Sequence, residues 1–284
     1  MHLRICYHRN FFFLKMHFLQ ILSVVKVSSI PAPRVRFGWV SRKCKGSTDN
    51  LYYKCTILLY FRDMSTMVEL TSFSTLGKIQ PFLVTITSTA ALLVDLHCHL
   101  TDKEICGYLG GHWDINSHNL SITSAFPCRY SGKDKSAAAA VEAEIARAME
   151  WKRVTLVGWY HSHPRSHASP SLRDVDSQLD YQIKMKGPSD NGYTPCVGLI
   201  CSPYNMDGNC YESNFNVFWS LPPPENRPHE YPRPMLLSYT LSQEHFLSQD
   251  TLEEIVRIYF HTPYDYMPEL INQLIIFYFH RGDV

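Results

Sequence analysis

The sequence predicts an α/β fold, and three observations carry that prediction. Apolar runs of strand length alternate with helical patterns between about residues 82 and 202, the order expected when helices pack on a sheet. The stretch KSAAAAVEAEIARAMEWKR, rich in alanine and long charged side chains, is a helix by intrinsic propensity. Between Leu172 and Lys186 the apolar residues recur at helical spacing, so one face of that segment must be buried.

In chain order, FLVTITSTAALLVDLHCHL begins as a short β-branched strand and continues as an apolar helix from about Ser88 to Leu100. Glu104 to Leu109 reads as a strand closed by Gly110 and Gly111, and Leu120 to Phe126 reads as its hairpin partner. The alanine-rich helix follows, then a buried strand from Val154 to Tyr160, the amphipathic helix, and an apolar strand from Cys196 to Ser202. Further strands are expected around Asn214 to Ser220 and Met235 to Leu241. Beyond the proline-rich SLPPPENRPHEYPRP come a helix from about Gln249 to Phe260 and a last apolar segment, LINQLIIFYFH. Ahead of all this, residues 33 to 62 suggest short strands about a Gly-Ser-Thr-Asp-Asn turn, and weak periodicity from Thr66 to Pro81 reads as a linker.

Composition narrows the classes of function. The chain has 284 residues, 45% hydrophobic and 19% charged, which describes a globular protein able to bury a core. A formal net charge of +1 without a basic run lacks the electrostatic footprint of a nucleic-acid binder. The nine cysteines are odd in number and none has C-x-x-C spacing, which points to reduced thiols in a nuclear or cytoplasmic protein and argues against a thiolate zinc site. The N-terminus has a basic start and an apolar stretch, so residues 1 to 32 read as a leader or as sequence upstream of an internal start such as Met16, Met64 or Met67. Lys15 and His17 interrupt that stretch, and stable membrane insertion is not expected.

The richest segment chemically is WYHSHPRSHASPSLRD, from Trp159 to Asp174. Successive strand residues point to opposite faces, so His161 and His163 share a face roughly 6.6 Å apart and can hold one ion. Pro164 ends the strand and leaves the pair at its exit. Asp174 falls in the first turn of the next helix. Two histidines and a carboxylate are the ligand count of a catalytic zinc that keeps one position for water, and such a centre also needs a carboxylate base that is not a ligand.

These residues resemble the JAMM, or MPN-plus, zinc metalloproteases, whose pattern runs H-S-H-P, six further residues, then S-x-x-D. An upstream E-x-x-G-x-L-x-G belongs to the same pattern, and EICGYLGG from Glu104 to Gly111 matches it. The resemblance covers roughly Lys78 to Tyr239 and is nearest to the MPN domain-containing branch, a neighbour of the histone H2A deubiquitinases. It implies an MPN fold, a curved mixed β-sheet flanked by helices. It also implies one Zn²⁺ held by His161, His163 and Asp174, with Glu104 as the acid-base residue and Ser171 stabilising an oxyanion. The substrate class it implies is a ubiquitin-conjugated protein cleaved at an amide or isopeptide bond, read through insertions at about Tyr130 to Ser136 and Ser202 to Ser213. In that branch a DNA-recognition module precedes the protease, which adds an expected chromatin or DNA association.

The expected organisation is then 1–32 leader, 33–76 β-rich segment and linker with a remnant of that module, 77–241 metalloprotease domain, and 242–284 helical extension. The alternative is a non-catalytic MPN scaffold in a larger assembly, because fold alone does not set function. Asp174 also has a purely structural explanation, since Ser171 and Asp174 form a capping box. The chain contains its own control in LHCHL. His97 and His99 have the spacing of the ligand pair but fall on a helix, where positions two apart do not face each other, so they should not share an ion. His167 reads as a solvated loop residue and Cys106 as a small core residue rather than a nucleophile.

Overall fold

A computed structural model describes residues 63–128, 135–185, 194–204, 213–227, 230–260 and 267–279. The expected leader, the short strands of 33–62, and residues 130–134 and 205–212 of the two insertions lie outside the described residues. The strands are Thr71–Ser72 (β1), Leu83–Thr87 (β2), Cys106–Asp114 (β3), Asn119–Pro127 (β4), Thr155–Ser162 (β5), Val197–Ser202 (β6), Asn214–Leu221 (β7), Arg233–Leu237 (β8) and Thr240–Ser242 (β9). The helices are Ser88–His99 (α1), Lys135–Trp151 (α2), Leu172–Met185 (α3), Gln249–Phe260 (α4) and Met267–Phe279 (α5).

All the strands join one curled mixed sheet in the order β1-β8-β7-β6-β5-β3-β4-β2-β9. The β3–β4 hairpin and the β3–β5 pair are antiparallel, whereas β5 and β6 are parallel and linked through α3. That crossover leaves the carboxyl end of β5 beside the N-terminus of α3, the kind of crevice in which α/β sheets bind ligands.

Apolar side chains cover both faces of the sheet. On one face Leu92 and Leu96 of α1 pack with Ile86, Leu120 and Leu199 of the strands and with Ile258 and Leu274 of the two C-terminal helices. On the other, Ile145 and Met149 of α2 and Tyr181 of α3 pack with Leu156, Trp159 and Phe218. Thr87 starts α1 as an N-cap, its hydroxyl accepting from Ala90 N at 3.2 Å. The last apolar segment is helical and buries Leu274 and Tyr278 against the first of these cores. No helix among the described residues is long and apolar enough to cross a membrane.

Two readings change. Gly110 and Gly111 do not close the strand: β3 runs on to Asp114, with a register shift between the two glycines. The glycines permit close approach instead, since a Cβ on Gly111 would collide with the backbone carbonyl of Ser121. The segment expected as a linker from Thr66 is also part of the fold. It contributes β1, which pairs parallel with β8, and Met67 bridges to Ser171. Backbone pairing and three irregularly spaced apolar residues hold it, Phe73 and Leu76 on the first core and Leu70 on the second, and that irregular spacing shows no strand or helix period.

Candidate metal centre

His161 lies in the last turn of pleat of β5, where Cys106 of β3 and Ile200 of β6 flank it. Pro164 ends the strand as its missing N–H requires, and His163 is held just beyond by its own N–H donating to Cys201 O at 2.8 Å. The loop then reaches Ser171, which caps α3. Ser171 Oγ accepts from Asp174 N at 3.3 Å, while the Asp174 carboxylate takes Ser171 N at 2.8 Å and Ser171 Oγ at 2.6 Å. The capping box is therefore real, and the same carboxylate also faces both histidines.

Asp174 Oδ1 is 3.3 Å from His161 Nδ1, and Asp174 Oδ2 is 3.5 Å from His163 Nε2. The two imidazole rings meet edge to face with centroids 4.9 Å apart. Taken one donor atom per residue, His161, His163 and Asp174 come within 4.8 Å of one another, and all three residues are buried. Glu104 stands at the rim: its Oε2 is 3.8 Å from His161 Nε2 and its side chain is 46% exposed.

Burial by itself opposes charge at both His161 and Asp174. It is outweighed by their mutual attraction, which raises the His161 imidazole above its ordinary value and holds the Asp174 carboxyl well below the usual range. His163 Nδ1 is buried without a hydrogen-bond partner among the described residues, a costly state for a ring nitrogen. Nitrogen and oxygen donors in a tight buried cluster fit a divalent ion of the zinc type.

The remaining candidates separate as their local structure requires. His97 Nδ1 meets Tyr160 OH at 2.7 Å, whereas His99 Nδ1 meets Asp95 Oδ1 at 2.9 Å, so the control pair serves two different partners. His167 is exposed. The Cys106 thiol is pushed well up, first by its hydrogen bond with Cys128 and then by burial, which makes it a poor nucleophile.

Sequence reasoning missed several supports of this centre. Ser162, between the two histidines, is fully buried, and its Oγ accepts from Ile105 N at 2.9 Å, tying β5 to the residue after Glu104. Trp159, two residues before His161, packs beside its ring at 6.5 Å and donates Nε1–H to Gln178 Oε1 at 2.8 Å. Gln178 in turn donates to Cys196 O and to Gln182 Oε1. The signal for the glutamines was their helical spacing from Asp174. Asp102 and Arg165 pair at 3.0 Å across the rim, joining the segments that carry Glu104 and His163.

Comparison with known proteins gives a consistent outcome. Residues 83–186 match the family model described as JAB1/Mov34/MPN/PAD-1 ubiquitin protease. The chain is 48% identical over 195 residues to an MPN domain-containing protein of Danio rerio, covering 69% of this chain and 42% of that protein. It is 47% identical over 197 residues to the MPN domain-containing protein of Mus musculus, covering 69% and 40%. It is 32% identical over 127 residues to the histone H2A deubiquitinase MYSM1 of Branchiostoma floridae, covering 44% and 15%. The chain thus spans less than half the length of each of these relatives.

Proposed function

We propose, from the match of residues 83–186 to the JAB1/Mov34/MPN/PAD-1 family model, that this chain is a zinc-dependent metallopeptidase hydrolysing amide or isopeptide bonds, with a ubiquitin-conjugated protein as substrate. The observation that carries this reading is the gathering of His161, His163 and Asp174 donors within 4.8 Å, with the Glu104 carboxylate beside them at the solvent edge. His161, His163 and Asp174 would hold the ion. Zinc bound there would supply Lewis acidity, lowering the pKa of water to near neutrality and polarising a carbonyl.

The chain's own groups do the rest. Glu104 Oε2 accepts a proton from water and returns it to the departing amine, a transfer suited to a carboxylate at the solvent edge. Ser171 Oγ, which donates to Asp174 Oδ2, can assist a developing oxyanion only once that bond opens, so its two tasks alternate. Burial of the three metal-holding side chains keeps bulk water from competing for them. The histone H2A deubiquitinase among the relatives extends the reading to a ubiquitin-conjugated nuclear protein and to chromatin association.

The test joins metal analysis to cleavage. Wild-type protein and Glu104→Gln should each bind about one zinc. The variant should lose roughly 10²- to 10⁴-fold in cleavage of a ubiquitin conjugate. Zinc-free protein that binds partners without cleaving them would make the domain a scaffold instead.

A further inference from the structure

The strand of chain ahead of the sheet bears directly on the metal centre. Residues 64–68 run alongside the loop entering α3, with Met67 bridged antiparallel to Ser171. Val68 N donates to Pro170 O at 2.8 Å, Leu172 N to Thr66 O at 2.9 Å, and Arg173 N to Met64 O at 3.1 Å. Tyr231 OH reaches Met64 Sδ at 3.4 Å and fastens the far end.

A helix leaves its first four N–H groups without intrahelical acceptors. In α3 these belong to the N-cap Ser171 and to Leu172, Arg173 and Asp174. Ser171 N donates to Asp174 Oδ2 at 2.8 Å, and Asp174 N donates to Ser171 Oγ at 3.3 Å. The carbonyls of Thr66 and Met64 take the other two. An acid in a first helical turn is drawn toward exposed N–H groups by hydrogen bonding and by the helix dipole. With Leu172 and Arg173 already satisfied, neither amide competes for Asp174 Oδ1, which lies 3.3 Å from His161 Nδ1 while Oδ2 takes Ser171 N.

We infer that Met64–Val68 is a positioning strand for the metal centre: by completing the cap of α3 it holds the Asp174 carboxylate toward the histidines. The strand lies outside the stretch matched by the family model, residues 83–186. The inference rests on the zinc reading and adds a part of this chain that acts through Asp174.

The experiment uses the full chain and two variants. Val68→Pro removes the N–H that donates to Pro170 O, and Met67→Gly loosens the strand's backbone at a side chain already 40% exposed. Zinc affinity is measured by competition with a chelating dye, and amide hydrogen exchange is followed at Leu172 and Arg173. Both amides should exchange faster, and zinc affinity should fall roughly 10-fold or more, the usual effect of losing a group that orients a ligand. Protection in β6 and β7 should not change. Released amides with wild-type zinc affinity would overturn the inference. So would amides unchanged in both variants alongside weakened zinc binding. If Val68→Pro loses protection throughout, Met67→Gly decides by the same criteria. A wild-type chain that takes up no zinc overturns the zinc reading itself and this inference with it, an outcome distinct from a zinc-binding wild type whose variants bind equally well.

Discussion

Ser162 separates the two histidines, and both its hydroxyl and its backbone N–H bond Ile105, the residue after Glu104. Its Oγ accepts from Ile105 N, so Ser162→Ala leaves a buried N–H without a partner and should cost about 1–3 kcal/mol. Zinc content should be retained while kcat falls with little change in KM, because Glu104 is displaced and the ligands are not. Urea unfolding together with steady-state kinetics checks both effects. Glu142, outside the candidate ligand set, offers a pH test. Burial, and secondarily Cys128, push its carboxyl from 4.5 up to about 8, against the lowering influence of its Tyr108 hydrogen bond. An acid whose folded pKa is raised stabilises the fold least when charged. Its contribution should therefore be most favourable below pH 4.5 and decline as pH rises to about 8. Glu142→Gln should flatten that part of the stability profile and should be more stable than wild type at pH 8, as thermal unfolding across pH would show. The residues carrying chemistry were legible because their spacing is set by strand and helix geometry. Ser162 was not, since its value depends on a neighbour 57 residues away in sequence.

At the level of elements, the centre depends on β5 lying between β3 and β6 at close range. Gly107 opposes Tyr160, the residue before His161, and a Cβ on Gly107 would enter the Tyr160 ring. That ring is fully buried and its hydroxyl is bonded to His97, so it has no free path of retreat. Gly107→Ala should destabilise the protein by about 1–3 kcal/mol, as overpacking does, and weaken zinc retention through the shifted end of β5. Chemical denaturation and metal analysis after dialysis measure the two effects. The sequence pattern located these strands well, but it closed β3 at Gly110 and Gly111. Glycine marks both strand ends and sites of close approach, and local sequence does not distinguish them. Only the position of Ser121 on the neighbouring strand does.

At the scale of the whole molecule, two cores sandwich the sheet, and the C-terminal helices complete one of them. Tyr278 of α5 donates to Asp95 Oδ2 at 3.0 Å, and Asp95 also receives Ser213 Oγ and contacts His99. A ring of polar contacts thus joins α1, the start of β7 and the last helix. The candidate metal centre, in contrast, gathers His161 of β5, His163 just beyond that strand and Asp174 of α3, with Glu104 at its rim. Zinc that binds the native state alone should add about 2.7 kcal/mol of stability at a free concentration 100 times its Kd. The melting temperature should therefore rise with added zinc and return to its metal-free value with a chelator. Asp174→Asn should abolish most of that zinc-dependent shift, which scanning calorimetry would detect.

The sequence alone determined the α/β alternation, the register that brings His161 and His163 to one side, and the first-turn placement of Asp174. Each follows from a repeat or a cap acting over a few residues. Tertiary structure decided which carboxylate approaches which imidazole, that His97 and His99 part to separate partners, and that Met64–Val68 close the cap of α3. Those outcomes depend on backbone groups distant in the chain, and backbone donors and acceptors are the same at almost every residue, so no pattern of side chains announces where they will meet.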